Sequence, residues 1–326
     1  MTLLIIRCPE DRHLKKTSMD ISVILATYKR PKLIEETLNS FLSLHIENLT
    51  WEIILVDNAG DRDTEIVAKK FAKLLPLHYL TVTKRGKNNA LNEAISEARG
   101  KIFVFTDDDV TVEPDWLIEI WEGAHRWPDI NVFGGKILPK YLEGQVPPFD
   151  HPFLLSAYAI ADYDIPEGTY PAYRVWGPNM AIRGLLFKEG WKFNPAIGPD
   201  GSTTYVPGSE TDLTRRLEKG GNPSVYLPKS LVNHQIRREQ LDMDWLYGRA
   251  FRFGQQYSHE EDKSNISMCF GIPWRLIRRI IKAYMLVALS IFRNKGKKRN
   301  FDRRLFLWET RGRIYWYRTV YSKIKS

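Results

Sequence analysis

The sequence predicts an α/β fold on a mostly parallel sheet, and three observations predict it. Short apolar runs suited to buried strands recur through the first 130 residues. Segments with helical spacing separate them. Polar clusters sit at the strand ends, at Thr27-Tyr28, Asp57-Asn58 and residues 107–109. Alternating strands and helices imply a parallel sheet covered on both faces. In such sheets ligands bind outside the carboxyl ends of the strands. The three clusters come from different strands, so they are expected to converge on one edge.

Each element follows from its residues. Residues 1–19 read as a leader without regular structure, and residues 21–26 (Ile-Ser-Val-Ile-Leu-Ala) form the first buried strand. Pro31 suits the first turn of a helix, and Leu33, Ile34, Thr37, Leu38, Phe41 and Leu42 continue it at helical spacing. Residues 52–57 (Glu-Ile-Ile-Leu-Val-Asp) form a strand that ends in a carboxylate. A helix over 63–74, a strand over 77–83 and a helix over 88–98 follow, the last stopped by Gly100. The strand 101–106 runs directly into three aspartates. Residues 138–208 are rich in Pro, Gly and aromatics, and read as long loops with one or two strands, including 179–183. Loops of that length in a compact domain usually carry function. Ser209 is a suitable N-cap for the next helix, which ends at Gly220-Gly221.

Composition narrows the class. With 43% hydrophobic and 27% charged residues the chain is globular rather than disordered. Two cysteines, Cys8 and Cys269, give no disulfide framework and no zinc site, which fits a reducing compartment. Residues 3–6 are too short for a signal-peptide core, and charges follow at once. No window reaches the roughly 18 apolar residues of a spanning helix. The net charge of +9 is uneven: residues 271–326 carry 16 Lys/Arg and 2 Asp/Glu, a balance of +14, which leaves −5 on the rest.

Asp107, Asp108 and Asp109 are the sharpest chemical signal. Three adjacent carboxylates raise one another's pKa unless a cation or hydrogen-bond donors offset the repulsion. Oxygen ligands at a strand end suit Mg²⁺ or Mn²⁺, which also binds a diphosphate. A solvated acidic turn is the competing reading. Asp57 suits a base N–H or a ribose hydroxyl, or an Asx turn with Asn58. Glu210 and Asp212 lie in the first turn of a helix, where the dipole favours carboxylates and Ser209 with Asp212 resembles a weak capping box. A general base must be a carboxylate or His near the acceptor hydroxyl. Lys87 and Asn88 open a helix beside Lys84 and Arg85, a natural neighbour of a diphosphate, although capping and a solvated face also account for them. His234 is a candidate ligand for metal or phosphate, or a structural histidine.

Taken together, these segments resemble the family-2 glycosyltransferases. The matching series begins with residues 21–31 (Ile-Ser-Val-Ile-Leu-Ala-Thr-Tyr-Lys-Arg-Pro), 52–58 and 85–92 (Arg-Gly-Lys-Asn-Asn-Ala-Leu-Asn). It continues with 103–109, 177–181 (Gly-Pro-Asn-Met-Ala) and 208–213, in order across residues 20–255. The resemblance implies a GT-A fold and inversion at the anomeric carbon. By the same resemblance Thr27, Tyr28, Arg30, Asp57, Lys87, Asn88, Asp107 and Asp108 hold the nucleotide donor. Asp109 binds the metal, Mn²⁺ or Mg²⁺, with His234 as a further ligand. Trp176 and Asn179 face donor sugar and acceptor, and Glu210 is the base. Many relatives carry Glu-Asp where this chain has Ser209-Glu210, so Asp212 is the second candidate.

The resulting organisation is a leader (1–19), a GT-A domain (20–255, with a nucleotide half 20–130 and an acceptor half 131–255) and a basic helical tail (256–326). In the tail Arg275, Arg278, Arg279 and Lys282 share a helix face, apolar residues fill the rest, and a charge run follows at 295–299. That pattern suits a helix lying in a membrane interface; a packed helical subdomain with solvated charges is the alternative. The aromatics match no nucleic-acid motif, so no nucleic-acid partner is expected. The expected activity is metal-dependent transfer from a nucleoside-diphosphate sugar, UDP-sugar favoured, to a glycan or lipid-linked acceptor in surface polysaccharide or glycolipid synthesis. The expected location is peripheral, on the cytoplasmic face of a membrane. A membrane-tethered scaffold of transferase fold and a sugar-phosphate nucleotidyltransferase are the alternatives. The second wants a Gly-rich loop where this chain reads Ala-Thr-Tyr-Lys-Arg.

Overall fold

The structure, a computed structural model, describes residues 5–6, 19–141, 145–264, 266–292 and 297–325. The chain forms two compact units, one of residues 1–140, 158–201 and 209–235, the other of residues 141–157, 202–208 and 236–326. In chain order the elements begin β1 (Ile5–Ile6), β2 (Met19–Thr27), α1 (Pro31–Phe41), β3 (Trp51–Asp57), α2 (Arg62–Phe71), β4 (Leu77–Thr81) and α3 (Lys87–Glu97). They continue β5 (Gly100–Thr106), β6 (Val110–Val112), α4 (Trp116–Arg126), β7 (Val132–Tyr141), α5 (Pro152–Ala157), β8 (Gly168–Tyr170), β9 (Met180–Arg183) and α6 (Gly184–Lys188). After these come α7 (Ser209–Lys219), β10 (Ser224–Ile236), α8 (Met243–Glu260), β11 (Met268–Cys269), β12 (Ile272–Pro273), α9 (Trp274–Phe292), α10 (Lys297–Trp316) and α11 (Ser322–Lys325).

In the first unit the sheet runs β1-β4-β3-β2-β5-β9-β7-β10-β6, with β8 beside β10. The expected parallel heart is β4-β3-β2-β5. The chain moves from β2 outward through β3 and β4, then returns to the other side of β2 with β5. That reversal creates a switch point, and a crevice, between the carboxyl ends of β2 and β5. Alternate residues of β2 face opposite ways, as a strand demands. Ile21, Val23 and Leu25 pack in the core formed with α1, α2 and α4, whereas Ile24 belongs to the core formed with α3 and α7. Helices therefore cover both faces. Pro31 occupies the first turn of α1 as expected.

One expectation needs correction. Ser209 does not cap α7: it is the first residue of that helix, and its buried hydroxyl has no hydrogen-bond partner. The stretch 138–208 holds the short strands β8 and β9 among its loops, and β9 lies in the expected strand 179–183. β9 pairs antiparallel with β5 and β7, and β8 with β10. Of the expected leader, Ile5–Ile6 pairs with β4 and Met19 opens β2; the rest, with Cys8, lies outside the described residues.

The second unit is mainly helical, with the short β11–β12 pair between α8 and α9. α8 runs through the expected boundary at residue 255 and packs on α10. Two glycines allow the close crossing. A Cβ on Gly254 would fall 2.0 Å from the Glu309 carbonyl oxygen, and one on Gly312 1.9 Å from that of Phe251. Phe301 of α10 meets Phe149, Phe153 and Tyr247 edge-on or tilted, so aromatic rings fill the gap between segments. Among the described residues no helix is long and apolar enough to cross a membrane. Residues 295–296 of the expected charge run lie outside the described residues.

Candidate active site

Strand register brings the polar clusters to one level. Thr27 pairs with Asp57 across β2 and β3, and Leu25 pairs with Thr106 across β2 and β5. The residues just past β5 therefore sit beside the end of β2. On the other side of the triplet, β6 pairs with β10 so that His234 stands opposite Val110. The Gln235 N–H also donates to the Asp109 carbonyl at 2.8 Å. Backbone ladders thus carry a histidine to the third aspartate from more than a hundred residues away.

The three aspartates do different things. Asp108 turns inward. One oxygen accepts from the Thr27 hydroxyl at 2.7 Å, and the other from the Arg30 guanidinium at 3.1 Å. Thr37 of α1 donates to its carbonyl at 3.0 Å. Burial pushes the Asp108 carboxyl upward against the opposing pull of Arg30. Thr27 and Asp108 were expected to touch the donor, but each is buried and engaged with the other. They lock the β2 end to the β5 end and leave Arg30 and the exposed Tyr28 at the surface.

Asp107 faces a different neighbour. The Lys87 ammonium, at the start of α3, bonds Asp107 Oδ1 at 2.5 Å and Glu210 Oε1 at 2.8 Å. Burial would lower the Lys87 pKa, but the two carboxylates outweigh it and hold the ammonium well above the usual lysine range. Glu210 projects from the first turn of α7 against Gly177, where a Cβ would stand 2.7 Å from Oε1. Thr106 pins this turn by donating to the Pro178 carbonyl at 2.9 Å. Asp212, the alternative base, points elsewhere: it takes two hydrogen bonds from Arg216, each at 2.9 Å, one helical turn on.

Asp109 and His234 form the candidate metal pair. His234 Nε2 lies 3.2 Å from Asp109 Oδ1, and Nδ1 lies 2.6 Å from the Tyr158 carbonyl oxygen. A carbonyl can only accept, so Nδ1 carries a proton and Nε2 faces the carboxylate. This is the outer-shell arrangement that orients a ligating histidine. Burial would lower the His234 pKa, but Asp109, together with Asp107 and the Tyr158 carbonyl, holds it above the usual histidine value. One carboxylate oxygen and one imidazole nitrogen at that spacing suit a single divalent ion. The described residues hold no group of three such ligands. The donor set therefore fits Mn²⁺ or Mg²⁺ only with substrate oxygens completing it.

The remaining expectations divide. Trp176 is half-buried, with its indole N–H 3.2 Å from the Tyr163 hydroxyl. Asp57 is fully buried. It accepts from the Ala59 and Asp61 N–H groups at 2.8 and 2.6 Å, and from the Tyr79 hydroxyl at 2.8 Å, so the Asx turn is present. Asn88 donates to the carbonyls of Asn194 and Ile197, while its own buried oxygen has no partner. Asn179 is not at the surface of the site as expected. It is 1% exposed, accepts from the Trp116 indole at 2.9 Å and donates to the carbonyls of Lys136 and Ser230. The short 3₁₀ turn over Gly177–Asn179 aims this amide into the core. Thr37, Thr106, Tyr158 and Gly177 were not singled out from the sequence. Thr106 and Gly177 lie within the matching segments 103–109 and 177–181, and Thr37 left a local trace, a hydroxyl within the apolar stripe of α1.

Comparison with known proteins bears on the family and the fold. Residues 22–145 match the profile of glycosyl transferase family 2. The glucosyl-dolichyl phosphate glucuronosyltransferase of Haloferax volcanii is 24% identical over 241 residues, 72% of this chain and 74% of that protein. The succinoglycan biosynthesis protein ExoM of Rhizobium meliloti is 24% identical over 259 residues, 74% of each chain. In fold, the chain is similar to a mannosyltransferase of Pyrobaculum calidifontis solved with GDP-Man and Mn²⁺. The TM-score is 0.60 and the identity 17%, over 92% of this chain and 88% of that one. The matched segment, the relatives and the sheet show a glycosyltransferase with a GT-A fold, whose residues 22–145 are similar to glycosyl transferase family 2.

Proposed function

We propose that the enzyme transfers a glycosyl group, with inversion, from a nucleoside-diphosphate sugar to a hydroxyl of a glycan or lipid-linked acceptor, UDP-sugar being the favoured donor. One observation carries this reading: a lysine shared by the last carboxylate before the buried pair and by the first-turn carboxylate of α7, beside a paired Asp109 and His234. Donor-binding and proton-accepting groups are thereby held within one cluster.

In the proposed step the acceptor oxygen forms a bond to C1 as the bond from C1 to the diphosphate oxygen breaks. Attack comes from the face opposite the leaving group. Glu210 takes the acceptor proton, and the electron pair of the broken bond leaves with the diphosphate. Lys87 and Arg30 offer positive charge to the diphosphate, and Tyr28 offers an exposed ring to the base. Asp109 and His234 would hold a divalent metal, which when bound neutralises charge growing on the leaving group. Trp176 lines the sugar side. The reading extends to surface polysaccharide or glycolipid synthesis by a protein peripheral to the cytoplasmic face of a membrane.

The test is thermal stability with UDP, GDP, dTDP and CMP, each with and without Mn²⁺ or Mg²⁺. Ligand at a hundred times its Kd stabilises by about 2.7 kcal/mol. One nucleotide is expected to act, only with metal, and Asp109→Ala should remove the effect. Absence of any shift under all conditions overturns the donor assignment.

A further inference from the structure

Within the second unit, α9 and α10 border a cavity of about 410 Å³. Five cations line it, Arg275, Arg278, Arg279, Lys282 and Arg313, over the ring of Phe306. The volume falls within the range of small-ligand pockets, about 300–1,000 Å³. Among the described residues two carboxylates pair with these cations. Glu261 binds Arg275 at 2.6 Å and lies 3.7 Å from Arg313, and Glu309 binds Arg279 and Arg313, each at 3.0 Å. Arg279 also donates to the Thr310 hydroxyl and lies 4.2 Å above the Phe306 ring. Three arginines are thus fixed in place. No ion pair to Arg278 or Lys282 is found among the described residues. The cavity keeps a surplus of positive charge after its internal pairing.

Beside these cations α9 exposes apolar side chains: Trp274, Ile281, Tyr284, Met285 and Leu289, each between 45% and 60% open to solvent. Their spacing of three and four residues puts them on one side of the helix. Arg278 and Lys282 share that side. A cationic flank beside an apolar stripe matches the surface of an anionic bilayer, with head groups at the flank and acyl chains at the stripe. Two copies of this face packed isologously would set like charges against each other. A nucleic acid would leave the apolar stripe without a partner.

We propose that the α9–α10 groove is a binding site for the phosphate head group of an anionic membrane lipid, with the exposed stripe of α9 seated among the acyl chains. This deepens the peripheral-membrane part of the proposed function and rests on it.

The experiment is sedimentation of the full chain, without donor, with vesicles of phosphatidylcholine alone or mixed with phosphatidylglycerol. Binding is expected only to the mixed vesicles, and should weaken with salt. Arg278→Ala/Lys282→Ala should weaken it roughly 30-fold, from about 1 kcal/mol per cation at an anionic surface. Lys73→Ala/Lys188→Ala, which removes equal charge from the first unit, should leave binding unchanged. An equal loss with that control reduces the effect to net charge and overturns the site. So do equal binding to both vesicles, no vesicle binding, full displacement by inorganic phosphate, or a dimer that Met285→Glu dissolves. A retained nucleotide-dependent melting shift in the Arg278/Lys282 variant shows that the donor site stands whichever way the lipid result falls.

Discussion

The carboxyl edge of the sheet and the α9–α10 groove both gather cations, but they treat the charge in opposite ways. At the sheet edge Lys87 is shared by Asp107 and Glu210, Arg30 is held by Asp108, and His234 faces Asp109. In the groove five cations meet two carboxylates, and Arg278 and Lys282 stand in solvent. A matched, largely buried set has a fixed geometry, and removal of one member leaves an uncompensated partner. A surplus, exposed set contributes through its summed field, which salt screens. The first design suits a reaction at one atom; the second suits a surface whose positions vary.

That contrast can be broken experimentally. Glu210→Gln keeps the shape but removes the proposed proton acceptor, so turnover should fall roughly 10²–10⁴-fold while the nucleotide-dependent melting shift remains. Unchanged turnover would move the base elsewhere, with Asp212 next in line. Asn179→Ala should lower stability by about 3 kcal/mol, since the Trp116 indole and two carbonyls lose their partner. A raised KM with an unaltered melting curve would instead restore Asn179 to the substrate. The loss on Asp109→Ala of about 2.7 kcal/mol of metal-dependent nucleotide stabilisation, read by the melting assay, ranks third. At the small end, Arg278→Ala/Lys282→Ala should change stability by no more than about 0.5 kcal/mol in denaturant titration. A larger loss would show that the groove holds the helices together.

The residues show why some of this was legible. Alternating strands and helices announced β2 to β5, because each strand is buried on both faces and reads as a continuous apolar run. Strand-end position alone brought Asp107, Asp108 and Asp109 to the switch point. Asp212 was also separable in principle, since Arg216 stands four residues on and marks a helix-surface pair. The direction of Thr27, Asp108 and Asn179 was not legible. A polar side chain after a strand looks the same whether it faces ligand or core. Its partners decide, and those of Asn179 lie 63, 43 and 51 residues away. The strand over 179–183 was legible, but its antiparallel pairing with β5 and β7 was not, and β8 is too short to display a period.

Gly177 has a consequence for how this protein would appear in a saturation mutagenesis screen. Its hydrogen occupies space that any side chain would take from the Glu210 carboxylate, the nearest atom being 2.7 Å from an added Cβ. The carboxylate ends a flexible chain and can swing aside, so Gly177→Ala should melt like the parent yet turn over slowly. A position with no functional group would then score as intolerant as the proposed base, while abundance measurements on the same library registered nothing.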